Sequence, residues 1–217
     1  MRTFSGAAAV AALDSSADEL GQVLALHRAA GFPEPERLTV SDGDRRLLGM
    51  HRALTGRDVE VATTCGTCEA VSVVVLSPHT VPPPAARTAW LGPGGGLREP
   101  TYGDLLGLPV DPGAAEVELL RRCTVGAPPR GPRPEELDQV DDSLAGPVRL
   151  GCVGCGAVLE LDADVERLVL EGLQRYVAEI EFEIHQIARA YGWSLPVIEA
   201  LPDERRRRFA RLVMDER

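Results

Sequence analysis

The chain has 217 residues and a formal net charge of −10 at pH 7, and 44% of its residues are hydrophobic while 26% are charged. This balance is typical of a globular protein with one sizeable domain or two small ones. The acidic charge argues against generic nucleic-acid binding, because an acidic surface repels phosphate backbones. No run of about 20 apolar residues occurs, so neither a transmembrane helix nor a membrane partner is expected.

The N-terminal part is predicted to contain an arm and two helices. Residues 1–16 hold a short alanine-rich run and are predicted to be disordered. Apolar residues at helical spacing predict a first helix over 18–30. Ser41 is predicted to cap a second helix, with Asp44 in the capping-box position and Gly56 just beyond its end.

Two segments of the chain then repeat one pattern, in which a Cys-x-x-Cys pair lies between two runs of β-branched residues. The first pair is Cys65 and Cys68, and the second is Cys152 and Cys155. Each segment is predicted to be a β-hairpin that carries its cysteines at the turn. The predicted strand segments are 59–63, 70–76 and, for the second hairpin as a whole, 148–161.

The cysteine spacing predicts a metal site. Zinc with four thiolate ligands needs a tetrahedron of sulfur atoms about 2.3 Å from the metal, and one Cys-x-x-Cys turn supplies only two of them. Two hairpins that face each other supply all four, which is the zinc-ribbon arrangement. The four cysteines are therefore predicted to bind one structural zinc ion per chain in a closed, non-catalytic site. Two alternatives stay open: a thioredoxin-like redox pair, which sits at the start of a helix, and four buried free thiols.

The segment between the pairs, about 78–146, is predicted to be a helical insertion that the metal pins at its root. Cys123, within it, has no close cysteine partner and is interpreted as a buried small residue rather than a fifth ligand. Thr101 and Asp104 have the spacing of a capping box at the start of a short helix. The predicted elements are a long proline- and glycine-rich loop over 78–100, short helices over 101–108 and 114–123, a linker over 124–134 and a helix from Pro134 to about Leu144.

The C-terminal segment, 165–217, is predicted to be helical and to bind a partner. Its long helix, over 165–190, carries apolar residues alternately three and four apart, which is the spacing of a heptad seam. Such a seam packs either on the chain's own N-terminal helices or against a partner, and both interpretations stay open. The candidate partner-binding residues are Leu170, Leu173, Val177, Ile180, Ile184, Ile187, Tyr191 and Trp193.

These elements predict an α+β fold with a mostly helical body, a small zinc ribbon built from two β-hairpins, and a long C-terminal helix followed by two short ones. The metal-pinned body is predicted to span 17–164. No phosphate-binding loop, serine elbow, hydrolase metal motif or placed carboxylate pair stands out, so neither an enzymatic activity nor a small-molecule substrate is expected. Close cysteine pairs without a disulfide framework favour a reducing, cytoplasmic location.

Several stretches together resemble a known family. They are "DRRLLGMHRAL", "CGTC", "LREPTYGDLLGL", "LLRRCTVG", "CVGC" and "EIHQIARAYGWSLPVIEALPDERRRRFARLV". They resemble the baseplate hub assembly chaperones of T-even-type phage tails, in the form encoded beside extracellular contractile injection systems. The likeness covers roughly residues 38–215 and is most specific in the closing stretch. It implies a non-enzymatic role in building or completing the baseplate of a contractile, syringe-like particle, with baseplate or hub proteins as partners.

A second functional class stays open, namely a zinc-ribbon regulatory or adaptor protein that binds nucleic acid or another protein. Phosphate contacts need clustered Lys and Arg, and the one such cluster is the run Arg205–Arg208. Helical spacing spreads these four side chains around a helix, so the run is interpreted as a solvated helix end. The acidic charge of the chain therefore favours the baseplate role over nucleic-acid binding.

Overall fold

The structure is a computed structural model that describes residues 4–79, 88–141, 143 and 146–215, and it has the predicted α+β architecture. The described helices are α1 (Gly6–Leu13), α2 (Glu19–Ala29), α3 (Val40–Thr55), α4 (Tyr102–Leu105), α5 (Pro112–Cys123), α6 (Pro134–Leu137), α7 (Val165–Tyr191), α8 (Leu195–Glu199) and α9 (Asp203–Asp215). The strands are β1 (Val59–Thr64), β2 (Val71–Leu76), β3 (Thr88–Trp90), β4 (Gly95–Arg98), β5 (Thr124–Gly126), β6 (Gly146–Gly151) and β7 (Val158–Ala163). They form three antiparallel sheets, ordered β1-β2, β3-β4-β5 and β6-β7.

The main core lies between α1, α2, α3 and α7. Leu26 of α2, Leu47 of α3 and Leu173 of α7 are fully buried in it. The imidazole ring of His51 on α3 packs directly against the backbone of α7 at Gly172, where a Cβ atom would lie 2.6 Å from Nε2 of His51. The predicted helices over 18–30 and 165–190 are confirmed as α2 and α7.

The N-terminal prediction is wrong for the residues that form α1. Ser5 caps this helix by accepting a hydrogen bond from the amide of Ala8. Ala9 and Ala12 are buried against the main core. Small alanine side chains allow this close packing. They also give the helix little amphipathic character, so the sequence predicted a disordered arm instead. Residues 1–3 of the predicted arm lie outside the described residues.

The start of α3 also differs from the prediction. Its N-cap is Thr39, whose hydroxyl accepts a hydrogen bond from the amide of Asp42, rather than Ser41. Ser41 is buried and donates to the carboxylate of Glu99. A β-bridge between Thr39 and Thr101 fixes the chain here, so a tertiary contact selects the cap. The predicted end of the helix at Gly56 is confirmed.

The insertion contains more β-structure than predicted. β3 and β4 lie within the predicted loop, and β5 lies at the start of the predicted linker. The glycines allow this pairing, because a Cβ atom on Gly126 would lie 2.2 Å from the carbonyl oxygen of Gly94. The helix that begins at Pro134 ends at Leu137, and residues 80–87 and Leu144 lie outside the described residues. A second small core contains Leu91, Leu97, Leu120, Cys123 and Val140.

The last two helices fold back on α7 around a third core of Ile187, Ile198 and Ala210. The prediction that the run Arg205–Arg208 is solvated is wrong for Arg206, because its side chain is buried. Its Nε atom donates to Glu183 of α7 at 2.9 Å, and its Nη1 atom donates to Asp203 at 2.8 Å. A carboxylate of a neighbouring helix therefore holds α9 in place. An aromatic cluster also joins the end of α7 to α9, and it consists of Tyr191, Trp193 and Phe209.

Most of the predicted heptad seam faces the chain's own core. Leu170, Leu173 and Ile180 are buried in the main core, and Ile187 is buried in the C-terminal one. Val177, Ile184 and Trp193 are partly buried in the same clusters, and only Tyr191 is exposed. The seam thus packs within the chain, as the first of the two interpretations proposed. A role in binding a partner stays a prediction for these residues.

Candidate metal centre

Two hairpins with the same backbone pattern carry the four cysteines. In the first, the amide of Cys65 donates to the carbonyl of Ala70, and the amide of Glu69 donates back to the carbonyl of Cys65. In the second, the amide of Cys152 donates to Ala157, and the amide of Gly156 donates to Cys152 in the corresponding way. Each turn therefore projects its two sulfur atoms in the same manner, and the predicted hairpins are confirmed.

The position after the second cysteine of each turn needs a left-handed backbone. Its φ angle is +58° at Glu69 and +74° at Gly156. Glycine adopts this conformation without steric cost, whereas a residue with a Cβ atom is strained there. The two turns thus share one backbone geometry. Only the second turn has glycine, the favoured residue, at the left-handed position.

The four sulfur atoms come together between the hairpins. Sγ of Cys65 lies 3.7 Å from Sγ of Cys155, and Sγ of Cys68 lies 3.6 Å from Sγ of Cys152. All four sulfur atoms lie within 4.8 Å of one another, and none is in a disulfide. Four ligands at about 2.3 Å from a tetrahedral metal ion are separated by about 3.8 Å. The predicted clustering is confirmed, and the spacing suits a four-coordinate metal ion.

Backbone amides lower the pKa of two of the four thiols. The amide of Gly154 lies 3.3 Å from Sγ of Cys152. The amides of Cys155 and Gly154 lower the pKa of Cys152 to about 6. Amides of Thr67 and Cys68 likewise lower the pKa of Cys65.

The pKa of the Cys68 thiol is shifted in the opposite direction. The amide of Ala70 acts to lower the pKa of Cys68, but the sulfur atoms of Cys155 and Cys152 outweigh it and raise that pKa to about 12. Four thiolates at these separations repel one another unless a positive ion balances them. Amides thus favour the thiolate form at Cys65 and Cys152, and a positive ion at the centre would favour it at all four sulfur atoms.

The hairpins also contact each other directly at the centre. The amide of Val153 lies 3.4 Å from the hydroxyl oxygen of Ser72, to which it donates. A Cβ atom on Gly154 would lie 2.9 Å from Cβ of Ala70 and 3.2 Å from Sγ of Cys68. This close approach buries Cys65 and Cys152 and leaves Cys68 and Cys155 exposed at the rim.

The surroundings of the pairs distinguish this centre from redox chemistry. Each pair is followed by a strand, β2 or β7, and not by the helix N-terminus that lowers the thiol pKa in thioredoxin-like pairs. The sulfur contacts at 3.6 and 3.7 Å both join one hairpin to the other. Cys123 belongs to the second core, as predicted, where burial raises the pKa of its thiol to about 11.

Two features of the packing of α9 on α7 were not found in the sequence. One is the buried Arg206, whose partner Glu183 is 23 residues away and lies on another helix. The other is a groove between α7, α9 and the start of β1. A pattern within one helix cannot show which helix packs beside it, so neither feature had a local signal.

Comparison with family models, with curated proteins and with solved structures gives no match for this chain. Among the described residues, no helix has the length and apolar character needed to cross a membrane. The chain's own residues therefore carry the functional inference.

Proposed function

We propose that the four cysteines bind one zinc ion and that its role is structural. Thiolate ligands and tetrahedral spacing are the combination that structural zinc sites use. Four protein ligands complete the coordination shell, so such a site has no position for a substrate or an activated water molecule. The observation that supports this role is that the sulfur atoms of Cys65 and Cys155, which are 90 residues apart, lie 3.7 Å from each other.

The zinc ion in this proposal joins two distant parts of the chain. The first hairpin is anchored in the main core through Val59 and Leu76. The second hairpin leads directly into α7, whose first residue, Val165, is buried in the same core. The insertion between the hairpins is therefore closed into a loop whose two ends are held by the metal. Fixing loop ends in this way lowers the entropy of the unfolded chain and stabilises the fold.

We infer that the protein is a non-enzymatic assembly factor or structural component of the baseplate of a phage-tail-like contractile injection system. The observation that carries this proposal is the closing stretch of sequence, which is the most specific part of the resemblance. In the structure this stretch forms one unit of the end of α7 with α8 and α9, held by Arg206 and the aromatic cluster. The unit presents apolar side chains to solvent, as a protein-binding surface does: Phe182, Leu195, Val197, Leu212 and Met214.

The proposed partners are baseplate or hub proteins of the same particle. The experiment is deletion of the gene, followed by electron microscopy of the particles that the strain produces. We expect missing particles, or sheath–tube structures without baseplates, and restoration by the wild-type gene. Intact contractile particles in the deletion strain would contradict the proposal. Sheath, tube and spike genes beside this gene would support it.

Analysis of the purified wild-type particles separates the two forms of the proposal. A chaperone acts during assembly and is absent from the finished particle, whereas a baseplate subunit remains in it at a fixed ratio to the tube and sheath proteins. Quantitative mass spectrometry of purified particles measures that ratio. Complementation with Cys152→Ser is expected to fail, because the protein then lacks one of the four sulfur ligands.

A further inference from the structure

Each cysteine hairpin has one buried and one exposed cysteine. Cys65 and Cys152 are buried, whereas Cys68 and Cys155 are exposed. The sulfur contacts at 3.7 and 3.6 Å each join the exposed cysteine of one hairpin to the buried cysteine of the other. The centre therefore contains two pairs that cross from hairpin to hairpin, Cys65 with Cys155 and Cys68 with Cys152.

The two exposed cysteines make the centre accessible to small oxidants. Oxidation of a cysteine depends on its exposure and on its thiolate character, and zinc ligands are thiolates. Cys68 and Cys155 meet both conditions in the proposed zinc site. Cys123, the remaining cysteine of the five, is fully buried in the second core. An oxidant such as hydrogen peroxide therefore encounters the metal centre first.

Contacts that involve no metal also hold the two hairpins together. The amide of Val153 donates to the hydroxyl of Ser72 at 3.4 Å. Leu159 of the second hairpin packs in one apolar cluster with Cys65 and Cys152, which come from different hairpins. These contacts remain when a metal ion leaves, so they keep the sulfur atoms of the two hairpins side by side.

The sulfur atoms need to move only a short distance to form disulfides across the hairpins. A disulfide bond is about 2.05 Å long, so each of the two contacts has to shorten by about 1.6 Å. The buried sulfur atoms already face the other hairpin while they accept amides of their own turns. Cys65 accepts from Thr67 at 3.4 Å, and Cys152 accepts from Gly154 at 3.3 Å. The crossing pairs are thus positioned before any oxidation.

We propose that a peroxide converts the metal centre into two disulfides that cross between the hairpins, Cys65–Cys155 and Cys68–Cys152, and so replaces the metal clasp by a covalent one. The proposal rests on the proposed zinc site for its starting state. It differs from thioredoxin-like chemistry, in which the disulfide joins the two cysteines of one Cys-x-x-Cys turn.

Each disulfide consumes one molecule of hydrogen peroxide. The exposed thiolate attacks one peroxide oxygen, the O–O bond breaks, and a sulfenic acid and a hydroxide ion form. The buried thiolate of the same pair then attacks that sulfur, so the S–S bond forms, the S–O bond breaks and a second hydroxide leaves. The two sulfur atoms lose two electrons, the peroxide gains them, and both hydroxides take protons from water. Disulfide sulfurs carry no negative charge and no longer hold a divalent cation.

The crossing disulfides would restrict the chain in the same way as the metal. Cys65 and Cys155 are 90 residues apart, and Cys68 and Cys152 are 84 residues apart. Closing such long loops reduces the entropy of the unfolded chain. A disulfide within one turn closes only a four-residue ring and leaves the hairpins unlinked. The oxidised protein is therefore expected to keep its fold after the zinc has left.

The test treats the full-length, zinc-loaded protein with hydrogen peroxide. A chromogenic chelator follows zinc release, and mass spectrometry of a non-reduced tryptic digest identifies the disulfides. Trypsin produces one peptide of residues 58–87 with the first pair and one of 150–167 with the second. We expect complete zinc release, covalent linkage of these two peptides, and alkylation of Cys123 alone after denaturation. Stepwise reduction and alkylation of the linked peptides assigns the individual bonds.

Two double variants compare a crossing pair with a pair in one turn. Cys68→Ser with Cys152→Ser leaves Cys65 and Cys155, whereas Cys152→Ser with Cys155→Ser leaves Cys65 and Cys68. Both variants lack two ligands, so they form a matched comparison. The crossing pair should form its disulfide at least about tenfold faster. Circular dichroism verifies that both variants fold, and the digest of the wild type decides the pairing without them.

Several results would overturn the proposal. These are separate peptides with disulfides inside each turn, sulfonic acids in place of disulfides, or retention of zinc after treatment with peroxide. A lower urea midpoint for the oxidised protein than for the reduced, metal-free protein would also contradict it. Absence of zinc from the untreated protein would instead contradict the proposed zinc site. Oxidation of the reduced, metal-free chain would still test the crossing pairs in that case.

Discussion

The two cysteine hairpins have the same turn and different strand faces. On the first, alternate residues of β2 expose three valines, Val71, Val73 and Val75, which are 57%, 54% and 49% exposed. On the second, Arg149 of β6 and Glu160 of β7 form an exposed ion pair at 3.0 Å. The geometry that the hairpins share is therefore confined to the cysteine turns, and the solvent-facing sides of their strands differ.

The buried sides of the hairpins differ as well. Leu76 of the first hairpin is part of the main core, whereas Leu159 of the second packs beside Cys65 and Cys152. With zinc bound as proposed, the first hairpin is held by the core and by the metal, and the second depends more on the metal and on its connection to α7. What the two turns have in common is the geometry of their sulfur atoms. Variants of matched positions test whether the turns are also equivalent in stability.

Loss of one ligand is expected to have the largest effect, and the same effect in either hairpin. Cys65→Ser and Cys152→Ser each leave three ligands, so each should lower the free energy of unfolding by at least about 5 kcal/mol, since a whole site contributes on the order of 10 kcal/mol. Urea unfolding and metal analysis measure this. Cys123→Ala is the control: it should keep the metal and cost about 1 kcal/mol of packing. A much smaller loss for one hairpin would show that the turns are not equivalent.

Acid is expected to destabilise the helical core through His27. Burial, which is the largest cause, lowers the pKa of His27 from 6.5 to about 4, and neither ring nitrogen has a hydrogen-bond partner among the described residues. The unfolded chain binds this proton more tightly, so stability falls as the pH falls from 6.5 towards 4. The loss reaches about 3 kcal/mol at the lower limit.

A half-buried carboxyl group, that of Glu166, has the opposite slope. Burial raises the pKa of Glu166 from 4.5 to about 7, so the folded state holds this proton more tightly and stability falls as the pH rises from 4.5 to 7. The two effects offset each other in the wild type. We expect Glu166→Gln to remove one slope and steepen the loss of stability below pH 6.5. His27→Leu should then reduce that loss by the His27 contribution, and the rest belongs to protonation of the cysteine ligands. Urea unfolding at several pH values measures both, and an unchanged pH profile in Glu166→Gln would contradict the assignment.

An added methyl group should separate the two turns sterically. A Cβ atom on Gly154 would approach Cβ of Ala70 to 2.9 Å, whereas nothing lies within 4 Å of a Cβ atom on Gly66, the glycine of the first turn, which occupies the position of Val153 in the second. Gly154→Ala is therefore expected to destabilise the protein by about 2 kcal/mol, and Gly66→Ala by less than about 0.5 kcal/mol. Thermal unfolding of the metal-loaded variants measures the difference. Equal effects would show that the hairpins do not approach closely at Gly154.

The left-handed position should give the smallest effect, with opposite signs in the two hairpins. Gly156→Ala introduces a Cβ atom at φ +74° and should cost about 1 kcal/mol. Glu69→Gly relieves the corresponding strain at φ +58° and should gain about 0.5 kcal/mol, since the greater entropy of glycine in the unfolded chain offsets part of the relief. Chemical denaturation resolves both values. A stabilising Gly156→Ala would contradict the turn geometry.

The sequence predicted those features that depend on local spacing. Cys-x-x-Cys between β-branched runs located both hairpins, and apolar residues at helical spacing located α2 and α7. It did not predict features that depend on distant partners. Gly95 pairs with Gly126 across the insertion, and Thr39 caps α3 at a bridge to Thr101. Such contacts become visible only once the chain is folded.

The sequence predicted the four clustered cysteines. It did not predict the features that arise from the packing of α9. The four cysteines follow from their spacing, because metal geometry restricts which residues take part. Arg206 lies in a run of four arginines that look alike in the sequence, and only the packing of α9 on Glu183 buries one of them. The groove arises from the same packing, so its arginines had no recognisable pattern.

X-ray absorption spectroscopy of the purified protein tests the central claim most directly. It reports the metal, the type of its ligand atoms and their distances. We expect about one zinc ion per chain, surrounded by four sulfur atoms at about 2.3 Å. A fully folded protein without metal, or a zinc ion bound by nitrogen or oxygen atoms in place of any of the four sulfurs, would contradict the claim that Cys65, Cys68, Cys152 and Cys155 hold one metal ion between the two hairpins.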